Sequence, residues 1–121
     1  MSYRGSCHCG NIRWETASLP EWLTRCTCSY CRKSVATWGR VDADHTSLTY
    51  GDAAVTRYIH GDRTLAFVSC GKCGCTTHWE SLDANAEQKM KLNYATADFP
   101  LPSTLPVRLF DGADTWEYLD T

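Results

Sequence analysis

The sequence lacks any long apolar run, any low-complexity tract and any recognisable linker or internal repeat. No stretch approaches the ~18 apolar residues that a membrane span needs, so we expect no insertion into a bilayer. The opening MSYRGSCHCG has no apolar segment of the kind found in a secretory signal peptide. We therefore expect one domain over residues 1–121, located in the cytoplasm, where thiols are kept reduced.

The sequence also has no excess of positive charge. Twelve Lys and Arg residues stand against 14 Asp and Glu residues, which gives a formal net charge of −2. Attraction to phosphates drives non-specific nucleic-acid binding, and an acidic protein gains little from it. The balance makes nucleic acid an unfavourable partner, although Arg32, Lys33 and Arg57 form local basic positions.

Cysteine, in contrast, is abundant, with eight residues in 121. In a secreted protein such a number would indicate a disulfide framework, but in a reducing compartment it indicates metal binding or catalysis. Cysteines separated by one residue also rarely satisfy the geometry of a disulfide with each other. The cysteine content therefore predicts metal sites.

Short segments with alternating apolar and polar residues predict most of the secondary structure. In NIRWET, Ile12 and Trp14 fall on one face of a strand. AVTRYIHGDRTLAFVSC reads as a hairpin with Gly61 and Asp62 in its turn, and the DG pair at 111–112 is a further turn signal. The remaining strand candidates are residues 21–28, 37–43, 47–51, 76–81, 89–95 and 107–110. Many short strands separated by turns predict a small all-β domain.

Evidence for helices is thin. One helical turn is predicted after Cys28, with Ser29 as its candidate cap, and SLDANAEQK at 81–89 is a second short candidate. The segment that contains Pro100, Pro102 and Pro106 should form an ordered loop, because proline has no backbone N–H to donate.

Seven of the cysteines fall into three groups with tight spacing: Cys7 and Cys9, then Cys26, Cys28 and Cys31, then Cys70 and Cys73. Each spacing suits a turn whose thiolates point at one ion. Because seven cysteines cannot fill two four-cysteine sites, the economical division is four plus three. The two pairs would close one tetrahedral site, typical of structural zinc, and the triplet would hold a second ion with an exchangeable position.

Two alternatives remain open at this stage. Cys75 or His78 could complete the coordination of the triplet and make both sites structural. The three groups could also share a single ion, with the other cysteines merely buried.

The chain contains three cysteine motifs in a characteristic order and spacing: GSCHCGNIRWE, RCTCSYCRKS and FVSCGKCGC. In these motifs it resembles the glutathione-dependent formaldehyde-activating enzymes, a family that includes centromere protein V. The resemblance covers nearly the whole chain. It implies a small, mostly antiparallel β fold of the Mss4-like or β-tent type, braced by two Zn²⁺ ions. It also implies a structural zinc at Cys7, Cys9, Cys70 and Cys73 and a catalytic-type zinc at Cys26, Cys28 and Cys31.

The resemblance further implies a carbon–sulfur lyase that joins glutathione to formaldehyde and forms S-hydroxymethylglutathione. The expected partners are thus a small thiol such as glutathione and a small aldehyde. Arg32 and Lys33 follow the last cysteine of the triplet and are candidates to bind a substrate carboxylate. His78 and Tyr30 are candidates to deliver a proton. The alternative interpretation is a zinc-braced, non-catalytic module that binds proteins.

Overall fold

The structure, a computed structural model, describes residues 2–61 and 63–119. These residues form ten strands, one α-helix and two 3₁₀ segments, Ala43–His45 and Tyr94–Thr96. Helix α1 is Ser29–Ser34. The strands are β1 (Tyr3–Ser6), β2 (Ile12–Thr16), β3 (Leu23–Cys26), β4 (Trp38–Arg40), β5 (Thr46–Tyr50), β6 (Val55–Ile59), β7 (Leu65–Cys70), β8 (Thr76–Ser81), β9 (Met90–Asn93) and β10 (Val107–Phe110).

The strands make two sheets. The smaller has the order β1-β2-β5, and the larger has the order β10-β3-β4-β9-β8-β7-β6. Neighbouring strands in these two orders are antiparallel except β10 and β3, which are parallel. The prediction of a mostly β domain is confirmed. None of the helices in the described residues is long and apolar enough to cross a membrane.

The two faces of the larger sheet carry different cores. On one face, the smaller sheet packs through Trp14 of β2 against Leu23 and Leu92. On the other face, Cys31 of α1 packs with Trp38 and Phe67. Successive residues of a strand point to opposite faces, so the larger sheet separates helix α1 from the smaller sheet.

Most sequence-based strand predictions are confirmed, with differences at several points. Ile12 and Trp14 are both buried, as their alternation indicates. The hairpin of β6 and β7 is present, although Asp62 of its predicted turn lies outside the described residues. Strand β1 was not predicted, and the helix predicted over 81–89 is wrong. In that segment, the Asp83 carboxylate accepts a hydrogen bond from the backbone N–H of Asn85 at 2.9 Å, which favours a turn over a helix.

Helix α1 begins and ends on unusual residues. Its N-cap is Cys28, whose Sγ accepts a hydrogen bond from the backbone N–H of Cys31 at 3.3 Å. The prediction that Ser29 would be the cap is therefore wrong, because Ser29 is already the first helical residue. The helix ends at Val35, whose φ of 55° lies in the left-handed region. A β-branched residue there is strained, since its Cβ crowds the backbone.

Replacing Val35 with glycine is expected to raise the free energy of unfolding by about 1 kcal/mol, because glycine adopts this conformation without steric strain. Val35 is 57% exposed, so little packing is lost. The measurement is chemical denaturation of the metal-loaded protein. Ala36→Gly is the matched control, since Ala36 is buried at 1% exposure and should lose stability when its methyl group is removed. Equal destabilisation by both changes would contradict the prediction.

Candidate metal centres

The first cysteine group, called here the four-cysteine site, joins Cys7, Cys9, Cys70 and Cys73. Their Sγ atoms all lie within 4.8 Å of one another. The Sγ of Cys9 is 3.7 Å from that of Cys7 and 3.6 Å from that of Cys70. Four sulfurs around one Zn²⁺, at about 2.3 Å each, would be about 3.8 Å apart in a regular tetrahedron. The donor set and its spacing therefore fit a closed zinc site.

Tight turns of the backbone build the four-cysteine site. The N–H of Gly10 donates to the carbonyl of Cys7 at 3.0 Å, and the N–H of Gly74 donates to the carbonyl of Cys70 at 2.9 Å. Backbone N–H groups also donate to the sulfurs, from Ile12 to Cys7 at 3.2 Å and from Lys72 to Cys70 at 3.3 Å. Such donors favour the thiolate form that a metal requires. An ion held here would join the chain's first turn to one 61 residues later.

The second group, called here the three-cysteine site, joins Cys26 at the end of β3, Cys28 at the cap of α1 and Cys31 within the helix. Their Sγ atoms also lie within 4.8 Å of one another. The backbone N–H of Cys28 donates to the Cys26 sulfur at 3.5 Å, and the indole N–H of Trp38 donates to the Cys31 sulfur at 3.3 Å. These bonds hold three sulfurs at one end of the helix, where they could bind a metal ion.

Negative charge in the three-cysteine site concentrates on Cys26. A hydrogen bond with Cys31, followed by backbone N–H groups of Cys28 and Gly112, lowers the pKa of the Cys26 thiol to about 5. The shared hydrogen bond with Cys26, together with burial, raises the pKa of Cys31. Without a cation, Cys26 is thus the sulfur that carries the negative charge, while Cys31 stays a thiol that a bound metal ion would deprotonate.

The two sites lie on opposite faces of the larger sheet. Cys70 packs with Val68 and Ile12 toward the smaller sheet, whereas Cys31 packs with Phe67 on the side of the helix. Because Phe67 and Val68 are successive residues of β7, they point to opposite faces. The three cysteine groups therefore do not meet at a single ion.

Cys75 and His78 belong to neither site among the described residues. Cys75 packs against the apolar cluster that contains Cys7 and Cys70, beside the four-cysteine site. His78 is fully buried, with Nδ1 at 2.9 Å from the Thr77 hydroxyl. Burial lowers the pKa of His78 to about 4, so the ring is neutral. The alternative in which one of these two residues completes the triplet is not supported by their positions.

The other predicted residues near the triplet are on α1. Arg32 and Lys33 are exposed in the last turn of the helix. The Tyr30 hydroxyl is 3.1 Å from that of Thr76, and its ring stacks on Phe67 at a centroid distance of 4.1 Å. Tyr30 is therefore engaged in packing the helix onto the sheet, whereas Arg32 and Lys33 are accessible to a ligand.

Lys91 is a charged residue of this region that sequence reasoning missed. It lies half-buried on β9, next to Leu92, which packs toward the smaller sheet, so Lys91 points to the face that carries α1. Burial lowers the pKa of Lys91, while the Tyr118 hydroxyl and the sulfurs of Cys26 and Cys31 favour its charged form. Strand alternation in KMKLN indicates that Lys91 and Leu92 point to opposite faces of the sheet, but only the fold shows which face holds the triplet.

A cleft of about 710 Å³ lies elsewhere. Its lining includes Leu19, Trp22, Arg40 and Asp44, and it contains none of the cysteines. The chemistry that the cysteines offer therefore lies outside this cleft.

Comparisons with known proteins agree with the cysteine pattern. A family model described as "Glutathione-dependent formaldehyde-activating enzyme" matches residues 2–109. Among solved structures, the chain is similar to a protein from Rhodobacter sphaeroides whose crystal structure was determined in a structural genomics programme. The two share 27% sequence identity with a TM-score of 0.69, over 86% of this chain and 98% of that one. The resemblance inferred from the cysteine motifs is confirmed.

Proposed function

The chain belongs to the glutathione-dependent formaldehyde-activating enzyme family, and we propose that it joins the sulfur of a glutathione-like thiol to a small aldehyde such as formaldehyde. The activity is that of an S-hydroxymethylglutathione synthase, a carbon–sulfur lyase. One observation carries the proposal. Within residues 2–61 and 63–119, four sulfurs cluster at one site but only three at the other.

We assign a structural Zn²⁺ to the four-cysteine site and a catalytic-type Zn²⁺ to the three-cysteine site. Zn²⁺ held by three thiolates would supply a fourth position at which a substrate thiol is bound and loses its proton more readily. The residues of the chain keep that position defined. The hydrogen bonds to the sulfurs of Cys26 and Cys31 orient two of the donors, and the cap of α1 orients Cys28.

The reaction needs no oxidant or reductant. The thiol releases its proton, its sulfur forms a bond to the carbonyl carbon, the π pair of the C=O bond moves to the oxygen, and the oxygen takes up a proton. Negative charge thus develops on that oxygen. Lys91 is the candidate to stabilise this charge, because strand alternation directs its side chain to the face of the larger sheet that carries α1 and the three-cysteine site.

Substrate carboxylates have separate candidate partners. A glutathione-like thiol carries two carboxylates, and Arg32 and Lys33 are exposed cations adjacent to Cys31 in α1. Arginine binds carboxylates with two parallel hydrogen bonds, which fixes orientation as well as charge. We propose that these two residues bind the carboxylates of the thiol substrate, whereas Lys91 stabilises the charge that develops on the aldehyde oxygen.

The test follows the exchange between glutathione with formaldehyde and S-hydroxymethylglutathione by NMR. The native protein is expected to accelerate the exchange above the spontaneous rate. Lys91→Met should lower kcat by roughly a hundredfold to a thousandfold, the range for losing one group that stabilises an oxyanion. Lys89→Met, at an exposed lysine two residues earlier, is the matched control and should leave kcat unchanged. No acceleration by the metal-loaded native protein would reject the proposal.

A non-catalytic binding module is the second candidate. Val107 and Leu109 of β10 are 53% and 42% exposed, and an edge strand with exposed apolar residues suits a protein partner. In that case both metal sites would be structural, and the NMR exchange would proceed at its spontaneous rate whichever lysine is present.

A further inference from the structure

The segment from Asp111 to Tyr118 lies beyond residues 2–109, which the family model matches. It nevertheless packs directly on the three-cysteine site. The backbone N–H of Thr27, between Cys26 and Cys28, donates to the carbonyl of Phe110 at 2.9 Å. Whatever this segment does at the site is therefore a property of this chain rather than of the part that the family model describes.

Asp111 holds the segment in place. Its carboxylate accepts hydrogen bonds from the hydroxyl of Thr27 at 2.7 Å and from the hydroxyl of Thr115 at 2.9 Å. Its backbone carbonyl accepts from the N–H of Trp116 at 2.7 Å. These bonds close a compact loop and attach it to the residue between two of the site's cysteines.

Gly112 brings the loop into contact with the sulfur of Cys26. A Cβ atom placed on Gly112 would lie 2.4 Å from that sulfur, which is far inside van der Waals contact. The same Cβ position is 3.6 Å from Cζ3 of Trp116. The Trp116 ring and the Cys26 sulfur are therefore no more than about 6 Å apart.

Trp116 has two features that packing alone does not account for. Its side chain is 69% exposed, the largest exposure among the large apolar residues of the described chain. Its φ of 61° is in the left-handed region, which is strained for a residue with a bulky side chain. Strained conformations of this kind are maintained by surrounding contacts and cluster at ligand-binding sites. Here the hydrogen bonds of Asp111 and the edge contact with the Phe110 ring, at 5.1 Å, maintain it.

We infer that Trp116 is a specificity-determining residue that binds the organic carrier of the thiol substrate beside the three-cysteine site. This inference rests on the proposed function. Formaldehyde carries no group beyond its carbonyl that could stack on an indole ring, whereas the peptide groups of a glutathione-like thiol are planar and can stack on the exposed face of Trp116. The residue thus discriminates among thiols and not among aldehydes.

The kinetic experiment compares two thiols with formaldehyde in the metal-loaded protein. Trp116→Ala should raise KM for glutathione by roughly fivefold, with kcat little changed, because a stacked ring contributes about 1 kcal/mol beyond its buried area. The same variant should leave KM for 2-mercaptoethanol unchanged, and Trp116→Phe should restore most of the glutathione affinity. Leu119→Ala removes an exposed apolar side chain just after this segment and is the control. An unchanged KM for glutathione, or equal losses with both thiols, would overturn the inference.

A binding experiment separates this inference from the proposed activity. The five tryptophans give indole N–H resonances, and the one absent in Trp116→Phe identifies Trp116. Titration of the metal-loaded protein with glutathione alone should shift that resonance more than the indole N–H resonance of Trp22. The Trp22 indole N–H donates a hydrogen bond to the Tyr118 hydroxyl. A shift without any aldehyde chemistry would reject only the proposed function. No shift at saturating glutathione in a catalytically active protein would reject only the role of Trp116.

Discussion

Replacing Cys70 with serine is expected to unfold the domain or to lower its free energy of unfolding by more than about 4 kcal/mol. Cys70 is buried at 2% exposure, and its sulfur lies 3.6 Å from that of Cys9. Structural zinc contributes ~10–16 kcal/mol of apparent binding free energy in small peptides, so loss of one of four donors removes a large share of folding free energy. The measurement is thermal unfolding followed by circular dichroism, together with zinc content by elemental analysis.

Cys75→Ser is the matched control for this change. Cys75 lies beside the four-cysteine site but is not one of its four donors. We expect the control to retain two equivalents of zinc and most of the native stability. A soluble, native-like Cys70→Ser protein with full zinc content would show that the four-cysteine site does not hold the fold together.

Replacing Cys28 with serine is expected to abolish thiol-dependent activity, by at least a hundredfold, while the fold persists. The cysteine is one of three donors, and its loss should reduce the zinc content from two equivalents to one. The local structure should tolerate the change, because Cys28 is the N-cap of α1 and serine is among the preferred caps. The serine hydroxyl can accept the hydrogen bond from the N–H of Cys31 that the sulfur accepts now.

The check combines the NMR exchange assay with thermal unfolding. Ser29→Ala, at the exposed first residue of the same helix, is the control and should keep both activity and metal content. Wholesale unfolding of Cys28→Ser would instead favour the interpretation in which both sites are structural and the protein is a binding module.

Local signals in the sequence predicted those parts of the fold that depend on local chemistry. Alternation placed Ile12 and Trp14 on a buried face, and the structure confirms it. Strand β1 was not predicted because its four residues, YRGS, carry no clear alternation, and its pairing with β2 is visible only in the fold. The helix predicted at 81–89 failed because Asp83 hydrogen-bonds to the nearby backbone and favours a turn.

The candidate site shows the same division between local and long-range information. Cysteine spacing predicted a division into four and three because each group is built by turns within a few residues. It could not say whether Cys75 or His78 joined the triplet, since that depends on the face of the sheet to which β7 and β8 direct their side chains. Long-range packing places Lys91 and Trp116 on the side of the triplet, so alternation in KMKLN orients Lys91 on its strand but does not show which face of the sheet holds the triplet.

The most direct test of the account is ¹¹³Cd NMR of the cadmium-substituted protein, recorded before and after addition of glutathione. The central claim is that one ion is enclosed by four cysteines of the chain while the other has three and can accept a substrate sulfur. The account predicts two cadmium resonances, of which only one moves when glutathione is added, and that one disappears in Cys28→Ser. A single cadmium resonance, or two resonances that do not shift when glutathione is added, would contradict this claim.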